Sequence, residues 1–356
     1  MQTQPTLAIA RPDDWHVHLR DDEMLAAVVG WSARRYRYVL VMPNLRPPVT
    51  TVADARAYRD RILAHAPDEP ATAAFTPMMT LFASPDIDLD DLRRGVEEGV
   101  LIGVKYYPAG ATTNADQSRG TLADLGPLLE CLCDIDLRLL VHAESTDPAV
   151  DIFDREAAFL ERELAPVCER FPELAVTVEH VSTRAGVDFV AAHPQSVATI
   201  TPHHLARERS DMLAHGMRPD LYCKPVINTA DDRAALVAAA VSGDPSYFCG
   251  TDSAPHPTTA KYGPKAAAGI FNAPYGLEVV AEVFHRAGAL DRLEGFVSGH
   301  GAVVYGVEPS PERIRLTRLE EPVSATERAE LLVTSTGDEV VLFGVEEARR
   351  WQVEPA

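Results

Sequence analysis

Short runs rich in β-branched and aromatic residues alternate along this chain with longer segments that have the apolar spacing of amphipathic helices. Such alternation is typical of βαβ units, in which helices connect parallel strands. We count eight repeats of the pattern, and eight units are the number that closes a barrel. The sequence therefore predicts an α/β fold built as a (β/α)8 TIM barrel.

The order of these elements can be predicted more firmly than their ends. The predicted strands are residues 15–19, 38–42, 73–81, 103–107, 138–142, 175–180, 198–202 and 247–252. The predicted helices include residues 51–65, 89–99, 122–134, 151–170, 185–192 and 230–242.

The length of 356 residues, with 46% hydrophobic residues, is compatible with one large barrel. We find no internal repeat and no linker, so residues 1–356 are predicted to form a single domain. The pattern weakens after about residue 301, and we expect this part to pack outside the barrel. Residues 202–228 and 253–272 are long and rich in Pro, Gly and His, which favours functional loops.

The net charge of -20 is unfavourable for binding phosphates or anionic lipids, so we expect neither a nucleic-acid nor a membrane partner. A basic cluster at residues 34–37 is interpreted as a solvated helix end. The chain has no signal-peptide pattern and no long apolar run, which predicts a cytoplasmic protein. Its five cysteines form no CxxC pair and are expected to be reduced thiols.

The first chemical signal is the pair His16 and His18 in the first predicted strand. Residues two apart on a strand project to the same side, so both imidazoles can face one metal ion. An isolated HxH pair is equally compatible with two ordinary half-buried histidines. Its position favours the metal interpretation, because TIM-barrel active sites lie at the C-terminal ends of the strands.

Later predicted strands each end in a further potential ligand, which would bring all of these groups to the same face. Taken singly, a histidine at a strand end is more often structural, and a lysine is usually solvated. These later residues are Lys105, His142, His180 and Asp252. Imidazole nitrogen and carboxylate oxygen suit Zn²⁺, whereas a lysine ammonium cannot ligate a cation.

With these residues in place, the chain resembles the amidohydrolase superfamily, whose barrels are of the metallo-dependent hydrolase type, and within it the homodimeric bacterial dihydroorotases. The matching segments are DWHVHLRDDEML, VMPNLRPPVTTV, KYYPAGATTN, LLVHAES, DIFDREAAFL, VEHVST, ATITPHHL, RPDLYCKP, GTDSAPH and FNAPYGLE. The HxH pair alone indicates the superfamily. Together, VMPNLRPPVTTV, YPAGATTN and GTDSAPH are specific to the dihydroorotase type.

The resemblance implies two Zn²⁺ ions per chain. His16, His18 and Asp252 would hold one ion and His142 and His180 the other. Lys105, N6-carboxylated by CO2, would bridge the two. A bridging hydroxide would be the nucleophile, and Asp252 would be the catalytic proton shuttle.

The resemblance also implies a set of substrate-binding residues. Arg20, Asn44 and His256 would bind the substrate carboxylate, with Arg20 and His256 adding positive charge. Thr112 and Thr113 would close over the substrate, while backbone groups of Lys224 and Ala268 would touch its ring. Lys224 is a departure, because leucine is typical of the family at this position.

The implied activity is a reversible cyclisation of N-carbamoyl-L-aspartate to L-dihydroorotate and water, in pyrimidine biosynthesis, by a homodimer. One alternative is another cyclic-amide hydrolase, such as a hydantoinase or dihydropyrimidinase, which need not bind a ring carboxylate. Another is a non-catalytic scaffold on the same barrel, since fold alone does not establish function. The complete ligand set disfavours the scaffold.

Overall fold

Eight parallel strands in chain order form the central sheet of the computed structural model, which describes residues 5–356. The strands are β1 Thr6–Ala10, β2 Asp14–Val17, β3 Tyr38–Val41, β4 Thr76–Phe82, β5 Leu101–Tyr106, β6 Arg138–His142, β7 Val176–Glu179, β8 Ser196–Ile200, β9 Tyr247–Cys249, β10 Arg313–Arg318, β11 Leu331–Val333, β12 Glu339–Val341 and β13 Trp351–Pro355. Strands β2 to β9 make up the central sheet, and every neighbouring pair in it is parallel. The predicted fold class and strand order are confirmed.

The sheet closes into a barrel through the residues that follow β9. Val17 pairs with Ser253 in a parallel bridge. The Asp252 amide donates to the His16 carbonyl at 2.8 Å, and the His18 amide donates to the Ser253 carbonyl at 3.0 Å. The first and last strands of the barrel are thus joined at the level of the predicted site.

Helices form the outer layer of the barrel and fill the long connections. They are α1 Asp22–Arg35, α2 Val52–His65, α3 Leu89–Glu97, α4 Gly126–Asp134, α5 Arg155–Phe159, α6 Ala165–Arg170, α7 Arg184–Ala192, α8 Pro202–Ala206, α9 Arg209–Leu213, α10 Ala230–Ala240, α11 Thr258–Lys261, α12 Gly276–Arg286, α13 His300–Val304 and α14 Val345–Ala348. Short 3₁₀ turns occur at Pro70–Thr72, Ala115–Gln117, Leu122–Leu125, Pro219–Leu221, Leu290–Arg292 and Ala325–Glu327, and π turns at Leu160–Leu164 and Gly295–Gly299. Among residues 5–356, no helix combines the length and apolar character needed to cross a bilayer.

Capping side chains set the start of several helices. At α2, the Thr51 hydroxyl accepts from the Asp54 amide while the Asp54 carboxylate accepts from the Thr51 amide. The same reciprocal pair recurs at α10 with Thr229 and Asp232. Each cap of this kind stabilises a helix by about 1 kcal/mol.

Residues on opposite faces of the barrel strands enter different apolar clusters. Leu40 of β3 and Leu140 of β6 pack with Trp15 and Phe248 in a cluster inside the barrel. Their strand neighbours, such as Val39, belong to the main cluster between the strands and the helices. Burial on both faces is typical of a parallel sheet covered by helices.

A separate antiparallel sheet in the order β1–β10–β13 joins the two ends of the described chain. Strands β10 and β13 both lie beyond residue 301. Trp351 is fully buried, and its indole donates to Glu282 of α12 at 3.0 Å. The division of the chain into domains stays a prediction.

Two strand ends differ from the predicted bounds for a conformational reason. The predicted strand 175–180 ends at Glu179, and the predicted strand 247–252 ends at Cys249. His180 and Asp252 have φ angles of 43° and 46°, in the left-handed region that ends an extended ladder. The predicted helix 151–170 is also interrupted, by the π turn at Leu160–Leu164.

The carboxylate of Glu156 ties α5 to the turn after His180. Its Oε2 accepts from the amide and hydroxyl of Ser182, both at 2.8 Å. Its Oε1 accepts from the amide of Thr183 at 2.9 Å and from the hydroxyl at 2.5 Å. Because Glu156 is buried, its removal would leave these donors without an acceptor.

We therefore expect Glu156→Ala to lower the free energy of unfolding by about 3 kcal/mol, the usual cost of unsatisfied buried polar groups. Urea unfolding followed by circular dichroism would measure the change. Glu161→Ala is the matched control on the same helical run, because Glu161 is exposed and should change stability by less than about 0.5 kcal/mol. Equal effects of the two variants would contradict an anchoring role for Glu156.

Candidate metal centre and active site

Three of the predicted ligands meet where the barrel closes. His18 Nε2 lies 3.4 Å from His16 Nε2 and 3.1 Å from Asp252 Oδ1, and His16 Nε2 lies 3.5 Å from the same oxygen. All three side chains are buried. Two imidazole nitrogens and a carboxylate oxygen at these spacings form a suitable group for one zinc ion.

The other predicted ligands lie beside this group. His142 Nδ1 is 3.1 Å from His180 Nε2, and the His180 ring lies 4.9 Å from that of His16, tilted by 59°. Lys105 is fully buried, and its Nζ has no hydrogen-bond partner among the residues that the structure describes. The structure therefore brings all six predicted metal ligands to one place, with an unpaired lysine nitrogen among them.

The outer nitrogens of three histidines are held by acceptors, which fixes their orientation. His16 Nδ1 contacts Glu179 at 2.7 Å, and His18 Nδ1 contacts the Asn44 side-chain oxygen at 2.8 Å. His142 Nε2 contacts Glu144 at 3.1 Å. In each ring the outer nitrogen is the one that contacts the acceptor, and the inner nitrogen faces the other predicted ligands. An acceptor on the outer nitrogen places the proton there and leaves the inner nitrogen free to bind metal.

Burial determines the charge states in the centre. Burial lowers the pKa of His16 and of His180 well below the ordinary value, so both are neutral and able to act as ligands. Burial also lowers the pKa of Lys105, to about 8. Burial raises the pKa of Glu179 to about 7, against the opposing effect of the nearby Lys105 ammonium.

The predicted carboxylate binders Arg20 and His256 contact each other at the edge of the centre. Arg20 Nη2 donates to His256 Nε2 at 2.9 Å, and Arg20 Nε donates to the Pro255 carbonyl at 3.1 Å. Burial, helped by the adjacent Arg20, lowers the pKa of His256 to about 2. The expectation that His256 adds positive charge is wrong, because a desolvated imidazole beside a guanidinium stays neutral.

Asn44 links the centre to the loop that carries Thr112 and Thr113. Its side-chain oxygen contacts His18, and its side-chain nitrogen donates to the Thr113 carbonyl at 2.9 Å. The Thr113 hydroxyl donates to the Ala268 carbonyl at 3.4 Å. The Ala268 backbone also hydrogen-bonds the His256 ring. The loop, Asn44 and Ala268 thus surround the edge of the centre where Arg20 and His256 lie.

Lys224 reaches the centre through its side chain. Its Nζ donates to Glu144 Oε1 at 2.7 Å. Sequence reasoning considered the Lys224 backbone alone, and it missed both Glu144 and Glu179. The available signal was position, since Glu144 stands two residues after His142 and Glu179 directly precedes His180.

Two members of a second group of potential ligands are already committed to other contacts. The group comprises His203, His204 and Cys223, whose donor atoms lie within 4.8 Å of one another. The two nitrogens of His204 contact Thr201 and the Pro225 carbonyl, and the Cys223 thiol donates to the same carbonyl. His203 Nδ1 contacts the Asn272 side-chain nitrogen at 3.0 Å, and its Nε2 has no hydrogen-bond partner among residues 5–356. The contacts of His204 and Cys223 favour a structural role for these two residues.

Comparison with known proteins agrees with this geometry. A comparison with family models gives no match. A dihydroorotase from Parasynechococcus marenigrum (strain WH8102) is 47% identical over 350 residues, which is 98% of either chain. This chain belongs to the dihydroorotase family. The predicted resemblance is thereby confirmed, and with it an enzyme of the cyclic amidohydrolase kind.

Solved structures agree on the fold. A dihydroorotase from Campylobacter jejuni superposes with a TM-score of 0.87 at 32% identity over 99% of both chains. An L-hydantoinase (dihydropyrimidinase) from Arthrobacter aurescens gives a TM-score of 0.75 at 16% identity, over 90% of this chain and 79% of its own. The second likeness shows the barrel alone, and the findings favour the dihydroorotase interpretation over the hydantoinase alternative.

Arg46 holds the outer side of the loop that carries Thr112 and Thr113. It donates to the side chains of Asn114 and Asp116, each at 2.7 Å. We expect Arg46→Ala to speed amide exchange in residues 112–117 and to raise KM a few-fold with kcat little changed, because loop order contributes to substrate binding. Hydrogen–deuterium exchange by mass spectrometry would measure the first effect.

The control for Arg46 is Arg93→Ala, which removes a comparable surface pair with Asp134 at 2.9 Å. It should leave exchange in the loop unchanged. Unaltered exchange in Arg46→Ala would show that the loop is held by its other contacts.

Proposed function

We propose that this chain catalyses the reversible cyclisation of N-carbamoyl-L-aspartate to L-dihydroorotate and water, as a step of pyrimidine biosynthesis. The observation that carries the proposal is the convergence of five potential ligands near a buried Lys105 whose Nζ has no hydrogen-bond partner in residues 5–356. The neighbouring Arg20, Asn44 and His256 support a substrate that carries a carboxylate.

The donor set fits zinc, and we propose two ions per chain. His16, His18 and Asp252 would hold one, and His142 and His180 the other. Bound zinc supplies a lowered pKa for a coordinated water and polarises a carbonyl oxygen. The nitrogen and oxygen donors, with outer nitrogens already paired, support this assignment.

Lys105 would bridge the two ions as a carbamate. The ammonium would first give up one proton. The neutral amine would then attack CO2, forming an N–C bond and releasing a second proton, so that the nitrogen carries an anionic carboxylate with two oxygen donors. Two observations support this modification. Nζ is buried without a hydrogen-bond partner in residues 5–356, and its pKa of about 8 leaves part of the amine neutral near pH 7.

Asp252 would move the proton in the reaction. Its Oδ1 faces the two histidine nitrogens. The other oxygen would accept a proton from the attacking water and return it to the departing ring nitrogen in the hydrolytic direction. In the biosynthetic direction the same carboxylate would take the proton from the ureido nitrogen.

The substrate carboxylate would be bound at Arg20. The guanidinium is a fork that can engage a carboxylate through two hydrogen bonds, and His256 would hold that fork in place as a neutral acceptor. Asn44 uses one amide hydrogen on Thr113, which leaves the second for the substrate. Thr112 and Thr113, with backbone groups of Ala268 and Lys224, would close over the ring.

We also propose, from family membership, that the chain works as a homodimer in the cytoplasm. Light scattering on a size-exclusion column would test the dimer, since a mass of one chain, 38.8 kDa, would contradict it.

The test of the reaction is loss of dihydroorotate, followed by absorbance, with zinc measured by plasma mass spectrometry on the same protein. We expect turnover with about two zinc ions per chain. Hydantoin is the control substrate and should be turned over far more slowly. A zinc-loaded protein that consumes hydantoin and leaves dihydroorotate intact would overturn the assignment.

Two variants separate proton transfer from substrate binding. We expect Asp252→Asn to lower kcat by about 10² to 10⁴, the usual contribution of a general acid–base group, and more if zinc is also lost. Arg20→Met should mainly raise KM, because it removes a binding contact. Steady-state kinetics with zinc content checked would measure both, and near-normal kcat in Asp252→Asn would exclude the shuttle role.

A further inference from the structure

Two buried contacts connect Lys224 to a proposed metal ligand. Lys224 Nζ donates to Glu144 Oε1 at 2.7 Å, and Glu144 Oε2 contacts His142 Nε2 at 3.1 Å. The side chains of Lys224, Glu144 and His142 are 11%, 2% and 1% exposed. Each carboxylate oxygen has its own partner, so Glu144 is fixed from both sides.

The contact with Glu144 decides which nitrogen of His142 is free. A neutral imidazole has one N–H, and a carboxylate can only accept. The proton therefore lies on Nε2, and the lone pair lies on Nδ1, which faces His180 Nε2 at 3.1 Å. His142 can serve as a ligand in this orientation as long as Glu144 stays in place.

Lys224 is the closer of two cations that contact Glu144. Arg155 Nη1 lies 3.8 Å from the same Oε1, and the Arg155 side chain is 22% exposed. Without Lys224, the buried carboxylate would have Arg155 as its cationic partner, and a turn toward Arg155 would weaken the contact with His142. A buried carboxylate depends on such a partner for its position.

We propose that Lys224 is a positioning residue for the second zinc ion, acting through Glu144 to orient His142 and fix its tautomer. The inference rests on the proposed function and adds to it a role for the side chain of Lys224. The side chain of Lys224 would thus support the metal site indirectly, through Glu144, while its backbone would contact substrate as expected.

The experiment measures zinc affinity by chelator competition with a fluorescent zinc indicator, in wild type, Lys224→Met and Lys224→Arg. Loss of an outer partner of a metal ligand usually lowers metal affinity by about 10- to 100-fold. We expect Lys224→Met to lower the affinity for one of the two zinc ions by that factor and to change the affinity for the other by no more than a few-fold. Lys224→Arg keeps the charge and should recover most of the affinity.

Arg155→Met is the matched control, because it removes a cation from the same carboxylate oxygen at the longer distance. It should change zinc affinity much less than Lys224→Met. Equal losses in the two variants would mean that both cations act alike on Glu144, which would overturn a specific role for Lys224.

Glu144→Gln supplies a second route to the same answer, also if Lys224→Met fails to fold. Glu144→Gln should lower the affinity for the same zinc ion. The double variant of Glu144→Gln with Lys224→Met should bind zinc no more weakly than Glu144→Gln alone, because Lys224 acts through Glu144. Additive losses, or wild-type affinity in Glu144→Gln, would contradict the inference.

The outcome in wild type separates this inference from the proposed function. A wild type that binds no pair of zinc ions, or that leaves dihydroorotate intact, contradicts the proposed function and this inference with it. A wild type with two zinc ions and full turnover, beside unchanged zinc affinity in Lys224→Met, contradicts the role of Lys224 alone.

Discussion

The closure between β2 and the segment after β9 is the constraint on which the site depends. Asp14 accepts from the amide and hydroxyl of Thr251, at 2.8 and 2.6 Å, while the Asp252 amide donates to the His16 carbonyl. These bonds set the register between the first and last strands of the barrel. Because side-chain direction alternates along a strand, a shift of one residue would turn His16 away from Asp252. The register that closes the barrel therefore also assembles the first group of ligands.

The candidate site is a cluster of buried polar side chains at one end of a barrel whose interior is otherwise apolar. Burial raises the pKa of Asp14 and of Glu179 to about 7 and lowers that of Lys105 to about 8. Burial disfavours the charged form of each group. This cost is offset where neighbouring strands supply fixed hydrogen-bond donors and acceptors. Pre-ordered partners such as Glu179 on His16 let the ligands face a cation without rearrangement. Burying these groups costs stability, and their fixed partners hold them in the orientation that the proposed metal binding requires.

The sequence predicted the parts of this protein that follow from local pattern. The strand order was predicted from hydrophobic alternation. The proposed ligands were predicted from their places at strand ends, so His142 and His180 could be named before their separation was known. Contacts between distant segments have no such signal. Glu144 and Lys224 are 80 residues apart, and their ion pair depends on where two loops meet. Backbone reversals at His180 and Asp252 were also missed, because a positive φ in a residue other than glycine is imposed by surrounding contacts.

The proposed metal ligands and the proposed substrate-binding residues lie on different segments of the barrel. The proposed ligands lie at the ends of barrel strands, where the sheet fixes them. Arg20, Asn44 and His256 lie just beyond strands, on connections that can vary while the barrel is kept. A hydantoinase shares the barrel with this chain at low sequence identity, as expected if the strands are retained and the connections diverge. Asn44 joins the two sets, since it contacts His18 on one side and the Thr113 loop on the other. The position of the Thr113 loop and the orientation of His18 are therefore coupled through one amide side chain.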